Sequence, residues 1–350
     1  MSVRAEPFVS VILVCWNSGK YLPRCLDSLE AQTFRDFEVV LVDNGSTDGS
    51  LDGLAEKYPR LKFQIEKLGR NQGFSAANNI GARLARGAWA ALLNTDAFPA
   101  PDWLETLTQA ITRFGNQCVY ASRQVQADLP SLLDGEGDVY HVSGLGWRMH
   151  YNFPVYAAGE PFRVFSACGA TALLPREDFL AVGGFDEDYF AYHEDVDLGF
   201  RLRLRGLDCR LIPQAVVHHI GSASSGKASD FAIYHGHRNL VWTYFKDMPA
   251  PLLWLYLPLH LLMNLVFILY FTAQGRAGVI LRAKWDALLG LPSMLRKRKQ
   301  AQGPGWGRAA SLHAAMSRNW FAPLLVSRQR KKYLKAKGLD IQSLETLDSK

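Results

Sequence analysis

The chain has 350 residues, 48% of them hydrophobic, so it can build one large domain or two modest ones and is not a disordered chain. Its 39 Lys and Arg against 33 Asp and Glu leave a formal charge of +6, which suits nucleic acid, an anionic membrane or a phosphorylated substrate alike. Five cysteines lie scattered with neither a CxxC pair nor zinc-like spacing, the pattern of a reducing compartment. Met1 to Pro7 run into a strand pattern, not a long apolar segment with a cleavage site, so no secretory signal is expected.

Phe8 to Val14 form an apolar run of buried-strand length. Tyr21 to Gln32 place Leu22, Leu26 and Leu29 on one stripe, which predicts a helix. Phe37 to Val42 make the next strand, and residues 44–49, Asn-Gly-Ser-Thr-Asp-Gly, a turn rich in helix-capping side chains. Lys62 to Ile65 read as a third strand, Ser75 to Ala85 as a helix, and Ala88 to Leu93 as a strand that stops at Asn94. This alternation predicts an α/β fold with a mostly parallel sheet covered on both faces. Ligands of such sheets gather at the carboxyl ends of strands, where Asp43 and Asp96 fall.

Residues 122–160 are less regular and read as an insertion or acceptor-side region. Regular structure is expected again from Arg163 to Leu174, with a turn at Gly183-Gly184-Phe185-Asp186. Glu194 to Arg205 read as a helix with Leu198 and Leu202 inward and acids in its first turn, where the helix dipole favours them. Cys209 to Ile212 are expected to form a short strand, followed by His218 and His219.

Composition changes near Pro249. Leu252 to Phe271 contain no Asp, Glu, Lys or Arg and are interrupted only by Pro258, His260 and Asn264. About twenty such residues suffice to span a bilayer. Pro258 and the polar residues leave an interfacial or broken hairpin open, and a buried helix at an oligomer interface is the soluble alternative. Two basic clusters, residues 296–299 and 328–332, suit anionic lipid on a cytoplasmic side, with a break at Gly303-Pro304-Gly305 between them and an amphipathic element from Trp320 to Leu325.

Six motifs, in this order, resemble the family 2 nucleotide-sugar glycosyltransferases. They are Val-Ile-Leu-Val-Cys-Trp-Asn (11–17), Val-Asp-Asn-Gly-Ser-Thr-Asp-Gly-Ser (42–50), Asn-Gln-Gly-Phe-Ser-Ala-Ala-Asn-Asn (71–79), Leu-Leu-Asn-Thr-Asp (92–96), Gly-Gly-Phe-Asp-Glu (183–187) and Glu-Asp-Val-Asp-Leu (194–198). The resemblance covers about residues 9–247 and is strongest toward the bacterial rhamnosyltransferase-type branch that builds cell-surface polysaccharide. It implies a GT-A domain over 1–247, with 122–160 as its variable acceptor-side part and 248–350 as an apolar and basic helical region. It also implies inverting transfer of a hexose from a dTDP- or UDP-sugar, dTDP-rhamnose first, with Mg or Mn. The acceptor expected is a hydroxyl of a lipid-linked saccharide at the cytoplasmic face of a bacterial inner membrane. The alternatives are a soluble glycan or protein acceptor, with the apolar segment then serving as a homodimer interface, and a non-catalytic membrane-bound scaffold.

The resemblance assigns roles that stand beside plainer readings. Asp43 would accept the N3–H of uracil or thymine, since an ionised carboxylate only accepts hydrogen bonds; an Asx cap of the following turn is the alternative. Asn71, Gly73 and Asn78 surround a loop-to-helix step that suits sugar or base contacts, or ordinary capping. The family pattern Asp-x-Asp is here Asn94-Thr95-Asp96, which keeps the usual direct metal ligand in Asp96 and puts an amide in the first place. Such an ion would offset charge on the departing diphosphate. Asp195 is the expected general base and Glu194 the alternate base or acceptor-orienting group, since neighbouring carboxylates raise one pKa. Asp197 points to another side of the helix. His218, in His-x-x-Gly-x-x-Ser (218–224), is the expected metal or diphosphate histidine, with a core histidine as the alternative. Ser222 to Lys227 read as a lid, with Lys227 and Arg238 as phosphate partners. Trp16 and Trp147 are stacking faces or core. The basic residues lack a nucleic-acid recognition motif, so no nucleic-acid partner is expected.

Overall fold

The computed structural model describes residues 6–221, 229–302 and 307–336. Its first half alternates as the hydrophobic pattern predicts: β1 (Val9–Cys15), α1 (Leu22–Glu30), β2 (Phe37–Asp43), α2 (Leu54–Lys57), β3 (Phe63–Lys67), α3 (Phe74–Leu84) and β4 (Trp89–Asn94). Strands β3, β2, β1 and β4 lie side by side, all parallel, with Cys15 opposite Asp43 and Val14 opposite Asn94. Helix α3 sits close on this sheet because it faces it with Ala77, Gly81 and Ala82. A Cβ on Gly81 would lie 2.5 Å from the Ile12 side chain.

The second half runs β5 (Ala97–Pro99), α4 (Trp103–Phe114), β6 (Cys118–Gln126), β7 (Leu133–Gly135), β8 (Asp138–Tyr140), β9 (Gly146–Arg148), β10 (Phe162–Arg163), β11 (Thr171–Pro175), α5 (Arg176–Ala181), α6 (Glu194–Arg205) and β12 (Asp208–His219). The main sheet has the order β10-β12-β6-β11-β4-β1-β2-β3. Strand β11 runs antiparallel between β4 and β6, while β12 runs parallel to β6. The mostly parallel α/β architecture is therefore observed, with β11 reversed near its middle and the short strands β5, β7 and β10 pairing antiparallel.

Three expectations change. The strand expected at Cys209–Ile212 continues to His219, so His218 and His219 belong to it. Pro213, which cannot donate to the ladder, lies at a register shift between Ile212 and Val216 and not at the strand's end. The stretch 163–174 is not continuous but two short strands separated by a loop. Residues 122–160 contain the end of β6 and all of β7, β8 and β9.

The remaining helices are α7 (Asp230–Asp247), α8 (Ala250–Ala273), α9 (Ala277–Gln302), α10 (Gly307–Ala315) and α11 (Ala322–Ala336). Among the described residues α8 is the one helix long and apolar enough to cross a membrane. Only Leu252, Leu253 and His260 of it are buried. His260 Nδ1 lies 2.8 Å from the Ser143 carbonyl oxygen, and its ring stacks on Tyr244 at 3.8 Å. Helix α9 packs along α7, where Trp242 Nε1 donates to the Ala287 carbonyl at 3.0 Å.

Candidate active site

The ends of β1, β2 and β4 open on one edge of the sheet, which brings three loops together. Asp43 ends β2 and is 7% exposed. Its Oδ1 accepts the Ser46 N–H at 2.8 Å, so Asp43 itself caps the turn. Among the described residues its Oδ2 makes no hydrogen bond. Asn44 is buried and binds the neighbouring loop: Nδ2 donates to Asn71 Oδ1 at 3.0 Å and to the Gly73 carbonyl at 3.3 Å, while Oδ1 accepts the Gln72 N–H at 2.8 Å. Asn71 Oδ1 also accepts the Gly73 N–H at 2.9 Å. The Asn71 side chain is thus engaged in shaping its own loop. Gly73 has φ +88°, and a Cβ there would come within 2.9 Å of the Phe190 ring. Asn78 Nδ2 donates to the Phe74 carbonyl one turn back at 3.0 Å. Its neighbour Asn79 reaches across the site instead, exchanging hydrogen bonds with Phe185 N–H (2.7 Å) and carbonyl (2.8 Å) and donating to Glu187 Oε1 at 3.0 Å. That amide joins the 71–79 motif to the 183–187 motif.

Past β4, Asn94 gives its backbone N–H to the Ala170 carbonyl at 3.0 Å. Asp96 is 8% exposed, and its Oδ1 lies 3.3 Å from His219 Nε2. His219, not His218, faces Asp96, because successive side chains of a strand point to opposite sides. His218 pairs with Phe98 of β5, and burial, then Arg24, lowers its pKa. His219 Nδ1 is held by Asp134 Oδ2 at 2.7 Å, and Arg148 Nη1 donates to the same oxygen at 2.6 Å. Burial disfavours a charged His219, but Asp96 and Asp134 outweigh it and push its pKa up to about 9. A carboxylate behind a histidine that points at a second carboxylate is the support that metal-binding imidazoles use. His219 Nε2 is buried without a well-formed hydrogen bond. Asp96 and His219 therefore fit a divalent cation. Among the described residues no group of three or more His, Cys, Asp or Glu forms a closed cage, and two protein ligands leave room for phosphate oxygens and water.

Arg148 connects this end to the start of α6, since its charge acts on Asp134, Asp138 and Asp195. Asp195 Oδ1 accepts the Val196 N–H at 2.8 Å, and Oδ2 faces the Gly169 N–H at 3.4 Å. Burial raises its pKa against the pull of Gly169 and Arg148. Glu194 is 9% exposed with no hydrogen bond at Oε2, and burial, followed by the charge of Asp195, pushes its pKa up to about 8. Asp197 is occupied elsewhere: it pairs with Lys246 and accepts from Arg201 Nε at 3.0 Å. Lys246 also holds Asp186 Oδ2 at 2.6 Å, and Lys297 bridges Asp186 and Asp188. Part of the 296–299 cluster is therefore turned inward.

Arg238 is spent on structure. Its Nη2 donates to the carbonyls of Asp188 and Tyr189, each at 3.1 Å, and its guanidinium lies 4.1 Å from the Trp242 ring centre. Lys227 and the expected lid lie outside the described residues. Trp16 is 45% exposed at the end of β1, whereas Trp147 packs against the cluster of Leu145, Tyr189 and Trp242. Sequence reasoning missed Asn79, Asp134, Arg148 and Asn239; only Asn79 lay inside a motif already singled out.

The family described as Glycosyl transferase family 2 matches residues 10–182, and a second, Glycosyl transferase family group 2, matches 136–291. The N-acetylglucosaminyl-diphospho-decaprenol L-rhamnosyltransferase of Mycobacterium tuberculosis is 32% identical over 254 residues, 64% of this chain and 80% of that protein. The chain belongs to the family 2 glycosyltransferases. The validoxylamine A glucosyltransferase of Streptomyces hygroscopicus is another relative, 31% identical over 57% of this chain and 52% of its own length. Among solved structures, S. aureus TarS 1–349 shares the fold at a TM-score of 0.53 and 17% identity, covering 88% of this chain and 90% of that one. GalNAc-T7, solved with UDP, GalNAc and Mn2+, does so at 0.55 and 20%, covering 69% and 48%. The GT-A fold and an inverting glycosyltransferase activity of the family 2 type follow.

Proposed function

We propose that this glycosyltransferase moves a hexose, rhamnose first, from a dTDP- or UDP-sugar to a hydroxyl of a lipid-linked saccharide at the cytoplasmic face of a bacterial inner membrane. The observation that carries the reading is the extent of likeness to the mycobacterial rhamnosyltransferase, over 80% of that protein. Asp43 Oδ2 would accept N3–H of the base while Oδ1 keeps the turn closed. Asp96 and His219 would hold Mg or Mn, which supplies charge to the departing diphosphate. Asp195, steadied by two backbone N–H groups, takes the proton of the acceptor hydroxyl as it attacks C1 from the face opposite the leaving group, which inverts that centre. Glu194, kept protonated by burial, orients the acceptor. Asn94 contributes an uncharged amide to the donor pocket.

The likeness to a glucosyltransferase named for validoxylamine A favours a second reading, a soluble acceptor. A panel of dTDP-rhamnose, UDP-glucose and UDP-N-acetylglucosamine, each with a prenyl-diphosphate-linked sugar or a free glycan, separates the two. Transfer from dTDP-rhamnose to the prenyl-linked sugar, lost on chelation and restored by Mn, is the expected result. Transfer only to free glycans would sink the lipid-linked reading.

A further inference from the structure

Among the described residues Lys284 on α9 has no acidic partner. Its Nζ donates to the His237 carbonyl at 2.9 Å, and Asp286, two residues on, is turned to the Tyr234 hydroxyl at 2.6 Å. The lysines nearby differ: Lys246 and Lys297 are both held by aspartates. A cation taken from water without compensation is costly, and burial pulls the Lys284 pKa down to about 7. Two imidazoles share its surroundings. Among the described residues the buried Nδ1 atoms of His193 and His237 have no hydrogen-bond partner, and both rings feel the Lys284 charge. His193 directly precedes Glu194. The His237 ring rests on Phe267 and Phe271 of α8, at 4.6 and 5.0 Å between centres. These three polar groups occupy the seam where the start of α6 and helices α7, α8 and α9 meet.

We infer that Lys284, with His193 and His237, binds the diphosphate that joins the acceptor saccharide to its lipid, an inference that rests on the lipid-linked acceptor proposed above. An ammonium and two ring N–H groups are donors suited to phosphate oxygens, and such charge-assisted hydrogen bonds are the strong ones. The placement orders the acceptor. Its chain lies along the exposed leucines of α8, its diphosphate meets Lys284, and its sugar passes His193 to the carboxyls of Glu194 and Asp195.

Binding of farnesyl diphosphate and farnesol to the full chain in detergent micelles tests this without any transfer step. The wild type should prefer the diphosphate. Lys284→Met should lose about tenfold or more of diphosphate affinity while binding farnesol as before, and Lys284→Arg should keep the preference. Replacing Lys284 removes a charge with no acidic partner among the described residues and one hydrogen bond to a carbonyl, so the fold should survive, and a thermal melt checks that. Equal wild-type affinity for the two probes, or an unchanged preference in Lys284→Met, overturns the site. Equal competition by phosphatidylglycerol in the same micelles also overturns it, in favour of a headgroup site. A preference that depends on Lys284, with no transfer to any diphosphate-linked sugar, instead overturns the acceptor reading and leaves an anion site of another use.

Discussion

Glu194 and Asp195 follow one another on α6, yet their surroundings separate them. Asp195 has backbone N–H donors and Arg148 to support its charge, while Glu194 Oε2 has no partner. Burial pushes Glu194 up to about 8 and raises Asp195 as well, against the pull of its donors. The sign follows directly: a base with a raised pKa is lost as pH falls through that pKa. If Asp195 is the base, kcat/KM should rise from acid pH and level off above its raised pKa. Glu194→Gln should keep that acid limb, because the residue is already uncharged there. A wild-type rate that climbs through pH 8, with Glu194→Gln abolishing it, would transfer the role of base to Glu194.

At the scale of elements, helix α6 is presented by a turn with unusual backbone. Phe190, Tyr192 and His193 all have positive φ, a conformation that costs about 1–3 kcal/mol at each such residue. Helix α7 offsets this through Asn239, fully buried, whose Nδ2 reaches the carbonyls of Tyr189 (3.0 Å), Ala191 (2.8 Å) and Tyr192 (2.8 Å). Asn239→Ala takes the donor from the Ala191 and Tyr192 carbonyls, while Tyr189 keeps Arg238, and should cost about 3 kcal/mol of stability in denaturant melts. Below its new midpoint the variant should bind donor normally but turn over more slowly, since Glu194 and Asp195 follow the turn. Unchanged kcat would mean that α6 holds itself.

The sequence made α6 and the first four parallel strands legible because their periodicity is strong and local. It hid β7, which is three residues long and exists through pairing with β6, and so it hid Asp134. It singled out His218 over His219 from the spacing His-x-x-Gly-x-x-Ser (218–224), which does not say which face of β12 each ring takes. Asn78 was chosen over Asn79 for the same kind of reason. One position along a helix is about 100° of rotation, and only the packing of the 183–187 turn against α3 shows which amide faces it.

For the molecule as a whole, the apolar surface argues for a particular membrane geometry. Trp254, Leu255, Leu261, Leu265 and Leu269 on α8, and Trp285, Leu288 and Leu289 on α9, are each more than half exposed. Patches this large seldom face water. Yet His260, near the middle of α8, is 1% exposed and fixed to Ser143 and Tyr244. A helix of 24 residues is about 36 Å long, so a spanning α8 would carry the Ser143 loop about halfway into the hydrocarbon. An α8–α9 hairpin lying in the plane of the interface avoids that, with its leucines in the acyl region and basic side chains such as Arg276, Arg282 and Arg296 close to anionic headgroups. The full chain should therefore bind phosphatidylglycerol vesicles and be stripped from them by alkaline carbonate. Replacing Leu261, Leu265 and Leu269 by Ser should weaken vesicle binding by roughly tenfold per leucine, from about 1.5 kcal/mol each, while leaving hydrolysis of the donor by water intact. Resistance to carbonate would show that α8 crosses the bilayer and that the His260 contact opens when it does. Full vesicle binding by the triple variant would move the anchoring surface elsewhere.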